Sequence, residues 1–191
     1  MASSLPNPRR LLVSNKAYSK AQDQAEPGVE VIVDSLEPIA VMPQFMKVPI
    51  ATHTAIPTSN EEAGRPHLDK LPGSGIVMPG GASISYLDMA PKSDIPMHRT
   101  PSTDYVIVLS GEVTVVTPPA AFDVVDGKGS YAEVEETVAR AGDVVVQREC
   151  MHALANRTGE WVRLISVVLA AEPVKIGVAG EARELGESWL Q

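Results

Sequence analysis

The chain has 191 residues, a net charge of −8 and 44% hydrophobic residues. That length suits one domain, or one domain with an arm, and the hydrophobic share excludes wholesale disorder. The acidic balance, with no basic stripe, excludes nucleic acid as the expected partner, and no apolar run approaches the roughly 20 residues a membrane helix needs. The opening MASSLPNPRR lacks the apolar core of a secretory signal, and the one cysteine, Cys150, allows no intrachain disulfide. The expected location is cytoplasmic.

Residues 1–28 are polar and loop-like apart from RRLLVS, an arm expected to add one strand. VEVIVD (29–34) and IAVMPQFMKVPIATH (39–53) read as strands, the second broken by Pro43 and Pro49 as an edge strand or bulge would be. Residues 54–73 read as a loop with at most one short helix. From residue 74 onward, short β-branched runs such as TDYVIVLS, EVTVVTP, DVVVQ and WVRLISVVLA alternate with Gly, Pro and Asp turns. Lys128, between Gly127 and Gly129, suits a hairpin tip, and the acidic SYAEVEETV (130–138) suits a solvated hairpin. This spacing is the signature of an antiparallel sandwich or barrel. The tail reads as a short helix around AGEARELGESWL. The expected division is an arm with barrel-edge strands (1–73), a barrel (74–172) and a C-terminal tail (173–191).

Two stretches carry the chemistry. In PMHRTPSTDYVIVLSGEV (96–113), residues two apart share a strand face, so His98, Thr100 and Asp104 point one way if the register resumes after the PST turn. Val106 and Val108 follow on that face, giving a polar mouth above an apolar depth. Tyr105, Ile107 and Leu109 make the other face apolar too, and a strand apolar on both faces is covered on both. The cover is expected from the arm or from a second copy, so a homodimer is expected. The second stretch, AGDVVVQRECMHALANRTGEW (141–161), contributes Gln147, His152, Leu154 and Asn156.

Elsewhere the bland reading prevails. Arg99 and Arg148 have the wrong parity for a pocket, and His53 and His67 lie outside the motifs and read as exposed, although His53 would reach the barrel mouth if its strand crosses it. Cys150 beside Met151 reads as a small buried hydrophobe. Asn156 reads as a backbone-pairing turn residue. Met42, Met46, Met78, Met89, Met97 and Met151 read as core filler rather than pocket.

Together the two stretches resemble the cupin family. His98 and Gly111 match its first motif, with Thr100 in place of a second histidine and Asp104 in place of glutamate. Gly142, His152 and Asn156 match the second motif, with Gln147 and Glu149 where Pro and Gly are usual. The match is closer to small fungal cupins found in natural-product pathways, through MHRTPSTDY, GDVVVQRECMHALAN, EWVRLISVVLAAEP and the NPRR opening; Leu154 stands where that group often has Trp. The resemblance implies an all-β fold, a cupin double-stranded β-helix (jelly-roll) barrel with an N-terminal arm and short C-terminal helix. It implies catalytic residues His98, Asp104 and His152 in a pocket that includes Thr100, Val106, Val108, Gln147 and Leu154. The implied substrate is an apolar, polyketide-like or terpenoid-like small molecule.

Two chemistries fit that set. Without metal, the carboxylate and the imidazoles act as acid and base, giving lyase or isomerase work: dehydration, isomerisation or cyclisation. With one divalent ion (Fe, Zn or Mn) held by His98, Asp104 and His152, dioxygenase or oxidoreductase chemistry becomes available. Thr100 removes one imidazole, and aspartate is a methylene shorter than glutamate; both weigh against the metal. A non-catalytic, small-ligand-binding cupin is the alternative from another class.

Overall fold

The computed structural model describes residues 4–16, 26–60, 76–178 and 181–190. Apolar–polar alternation predicts extended chain, and every regular element among these residues is a strand. The arm folds as a ribbon of β1 (Arg9–Asn15) against β2 (Val29–Ser35). Next come β3 (Ile39–Met42), β4 (Phe45–His53), β5 (Ala82–Met89) and the short β6 (Ser93–Asp94) and β7 (His98–Arg99). The second half of the barrel is β8 (Ser102–Ser110), β9 (Glu112–Thr117), β10 (Val124–Val125), β11 (Lys128–Gly129) and β12 (Glu135–Arg140). It continues with β13 (Val144–Arg148), β14 (Ala153–Asn156) and β15 (Val162–Ala170). The tail holds β16 (Lys175–Val178), β17 (Glu181–Glu184) and β18 (Ser188–Trp189).

Two sheets make the barrel: six strands in the order β13-β8-β15-β5-β4-β3, and four in the order β12-β9-β14-β6. They meet through a shared core, with Met89, Val106, Val108 and Leu164 from the first and Val113, Ala139 and Leu154 from the second. Each of the Val, Leu and Met side chains contributes roughly 1.5–3 kcal/mol on burial. Gly111 joins β8 to β9 and Gly142 lies between β12 and β13, so the chain changes sheet at both motif glycines. Both have positive φ, 76° and 98°, and a Cβ on Gly111 would stand 3.0 Å from Val162 Cγ2.

Buried charge ties the arm down. Arg163 makes a two-pronged bond to the fully buried Asp88 at 2.7 and 2.6 Å, and donates to Pro6 O at 2.8 Å. Arg10 bridges Asp34 of the ribbon and Ile50 O of β4 at 2.7–3.0 Å. Removing one partner of such a buried pair costs on the order of 3–5 kcal/mol.

Several expectations are corrected. The described tail is not helical: propensity is a weak prior even for Ala, Glu and Leu, and the pairing of β16 with β17 and of β18 with β7 overrides it. The hairpin turns at Asp126 and Gly127, both at positive φ, so its tip is one residue earlier than Lys128. Cys150 is exposed, not buried. The region read as a loop with a short helix lies outside the described residues from 61 onward, as does His67. Tyr105 and Leu109 are not covered by the arm; they stay exposed beside Val144 and Val146.

Candidate functional site

His98 and His152 are neighbours across a single antiparallel bridge, with reciprocal backbone bonds of 2.8 and 2.9 Å. Each imidazole is buried, and each is tied through Nδ1 to a backbone carbonyl two residues earlier. The distances are 2.8 Å from His98 to Pro96 O and 2.9 Å from His152 to Cys150 O. A carbonyl can only accept, so Nδ1 carries the hydrogen in each ring. Nε2 of each neutral ring is therefore left with its lone pair. The ring centroids are 4.4 Å apart, tilted by 54°.

The C-terminal strap completes the row. β18 pairs with β7, setting Trp189 opposite His98, and the indole stacks on the imidazole. Trp189 Nε1 donates to Glu187 at 2.8 Å, and Arg99 Nε holds the strap through Gly186 O at 2.9 Å. Leu190, buried in a second cluster with Met97 and Met151, anchors its end.

Asp104 and Gln147 are cross-strand partners on β8 and β13, and both are buried. Asp104 Oδ1 and Gln147 Nε2 are buried with no hydrogen-bond partner, so an acceptor and a donor stand side by side unsatisfied. Such groups cost ~1–3 kcal/mol each unless a ligand satisfies them. Burial pushes the Asp104 carboxyl up to about 6, opposed by a hydrogen bond with Ser102. Burial, helped by the charge of His98, pushes His152 down to about 4. Burial also lowers His98, against the Pro96 carbonyl and the Glu187 charge. At neutral pH the site thus holds two neutral imidazoles and an ionised carboxylate that titrates near neutrality.

These groups line one cavity of about 480 Å³. Of the expected pocket residues, Val106, Gln147 and Leu154 line it with His98, Asp104 and His152. Thr100 and Val108 do not. The Thr100 hydroxyl is taken by Ser102 at 2.9 Å, and Val108 packs in the core below. His53 is not among the lining residues, and of the methionines only Met42 is. Glu149 sits at φ 43° where the family pattern has glycine, and its carboxylate accepts from Val174 N. Asn156 donates to Met89, Ala90 and Glu160 carbonyls, as a backbone-pairing residue should. Sequence reasoning missed Trp189, Glu187 and Lys47, together with the buried Ser83, Ser85 and Ser166.

The expected metal set fits only in part. The two imidazoles have the Nδ1 anchoring that orients metal-binding histidines. The third ligand does not join them: among the described residues, no group of three His, Cys, Asp or Glu side chains is gathered closely enough to hold an ion. His98, Asp104 and His152 thus share the cavity without closing into a three-ligand cluster.

No family model matches the chain. It is 37% identical over 103 residues to phomopsin biosynthesis cluster protein D of Diaporthe leptostromiformis, covering 53% of this chain and 47% of that one. It is 34% identical over 99 residues to the cupin-domain-containing oxidoreductase virC of Hypocrea virens, covering 50% and 44%. The matched segment spans about half the length of these curated relatives. A solved protein with a double-stranded beta-helix domain from Klebsiella pneumoniae is 20% identical at a TM-score of 0.39, covering 58% of this chain and 75% of that one.

Proposed function

We propose, from the premise that this chain is a fungal-type cupin, that its cavity performs proton-transfer chemistry on a small carbonyl compound of secondary metabolism. The outcome is isomerisation, dehydration or cyclisation, the work of a lyase or isomerase. The observation that carries this reading is the buried Asp104 carboxyl, pushed up to about 6 in the cavity that two neutral imidazoles also line. A base whose pKa lies near the working pH both takes and returns a proton readily. Membership of biosynthesis clusters among the relatives supports the metabolic setting.

In this reading the Asp104 carboxylate removes a proton from the carbon next to a substrate carbonyl. The electron pair of that C–H bond moves into the carbonyl, making an enolate. The unsatisfied Gln147 Nε2–H donates to the oxygen where the charge develops. Neutral His98 and His152 accept, through Nε2, from substrate hydroxyls and so orient them. Protonated Asp104 then returns the proton, to another carbon in an isomerisation or to a leaving hydroxyl in a dehydration, which releases water. The apolar wall of Phe45, Leu87, Val106 and Leu154 excludes bulk water from the intermediate.

An oxidoreductase reading is favoured by the name of one relative, virC. The discriminating experiment incubates the full chain in D2O with a panel of apolar β-hydroxy and α,β-unsaturated ketones. NMR then reads deuterium at the carbon next to the carbonyl. Deuterium incorporation that survives chelator supports proton transfer. Its absence across the panel, with turnover only on added Fe, Zn or Mn, supports the oxidoreductase, and saturable binding with neither supports a ligand-binding cupin.

A further inference from the structure

Lys47 stands out from the rest of the cavity wall. Its residue faces inward on β4, opposite Leu87 of β5, and both line the cavity. Among the described lining residues it is the one cation. Burial lowers its pKa, and no acidic neighbour among the described residues offsets that effect. The two acids of the same cavity are engaged elsewhere. Asp104 interacts with Ser102, and Glu187 accepts from Trp189 and faces His98. A half-buried ammonium beside Met42, Phe45 and Leu87 loses hydration and gains no charge partner among the described residues, an arrangement folding alone does not favour.

The register puts Lys47 well away from Asp104. Gln147, Asp104, Val168 and Ser83 form one row across the sheet, and Val108, Leu164, Leu87 and Lys47 form another, four residues along β8. Three strand spacings, roughly 14 Å of arc, separate β4 from β8. The floor between them is mixed: Val106, Ser166 and Ser85 form the middle row, flanked by Val168 and Leu87.

We propose that Lys47 anchors the carboxylate of an amphipathic acid substrate. The acid's apolar body crosses that floor and its reacting carbon reaches Asp104. This rests on the proton-transfer reading for what happens at Asp104, but the anchor itself concerns binding alone. A carboxylate beside Lys47 supplies the missing countercharge and offsets the lowering of its pKa by burial. The proposal narrows the substrate class from neutral apolar molecules to medium-length acids.

Calorimetric titration of the full chain with octanoate and with methyl octanoate tests it, using wild type, Lys47→Met and Lys47→Arg. Wild type is expected to bind the acid about tenfold or more tighter than the ester, the scale of one well-placed ion pair. Lys47→Met should bring the acid down to the ester's affinity while ester binding holds, which shows that the cavity is intact. Lys47→Arg should keep the preference. Equal affinity for acid and ester in wild type, no binding of either, or a preference that survives in Lys47→Met each overturns the anchor. Loss of deuterium exchange with the acid preference intact removes the proton-transfer reading and leaves the anchor standing.

Discussion

The indole of Trp189 lies flat on the imidazole of His98, with ring centroids 4.3 Å apart and planes 7° from parallel. The strap that carries Trp189 therefore forms one wall of the surroundings of His98. His98 is held on one side by its bridge to His152 and on the other by the strap.

Trp189→Leu should lower the rate of deuterium exchange about fivefold, the equivalent of an aromatic contact worth ~1 kcal/mol. The strap should stay docked, because its backbone pairing and Leu190 are untouched. Trp189→Phe should restore most of the rate. Wild-type exchange by the Leu variant would reduce the stack to packing.

Asp104→Asn should stabilise the protein at neutral pH while weakening catalysis. The folded carboxyl titrates at about 6 against an ordinary value of 3.8, so its stability contribution is fully present below about 4 and lost as pH rises through 6. That loss is about 3 kcal/mol. Thermal melts should show the Asn variant more stable than wild type at pH 7 and the gap closing by pH 4. His152 works in the opposite sense. Its folded pKa is depressed to about 4, so its contribution is present above 6.5 and lost as pH falls through 4. His152→Gln should flatten the acid side of the melting profile.

The central residues were legible because a strand repeats every two residues. His98, Asp104 and Val106 line one cavity, and motif spacing brings His152 beside His98. Thr100 was misread because the turn at Pro101 diverts its hydroxyl to Ser102. Trp189 and Glu187 were not legible: two strand residues more than 80 positions after β7 give no periodicity, and helix formers around them point the wrong way. A register shift between Pro49 and Ala51 changes the parity of β4, which hid the inward-facing Lys47. The two sheets, by contrast, follow from short β-branched runs and the glycines that turn the corners.

Gln147→Leu should cost about 10² to 10³ in exchange rate, the usual loss on removing one donor at a developing oxyanion. It should not unfold the protein, since the Nε2 it removes has no partner to lose. A drop in rate of less than about twofold would remove Gln147 from the mechanism.

A second copy of this chain is the expected cover for two exposed apolar faces. One is the ribbon face where Leu11 pairs with Val33 and Val13 with Val31; the other is the barrel face of Tyr105, Leu109, Val144 and Val146. Light scattering at micromolar concentration should give the dimer mass, and Val13→Glu with Val31→Glu should return the monomer. A strict monomer for the wild type would leave both faces unexplained by self-association.

The most direct measurement of the central claim is the rate of solvent-deuterium exchange by Asp104→Asn against wild type, across pH 4 to 8. The account predicts a wild-type rate that rises through a midpoint near 6, where the carboxyl ionises. It predicts a variant slower by about 10² to 10⁴ with no inflection there. A variant as fast as wild type, or a wild-type profile flat through pH 6, would contradict it.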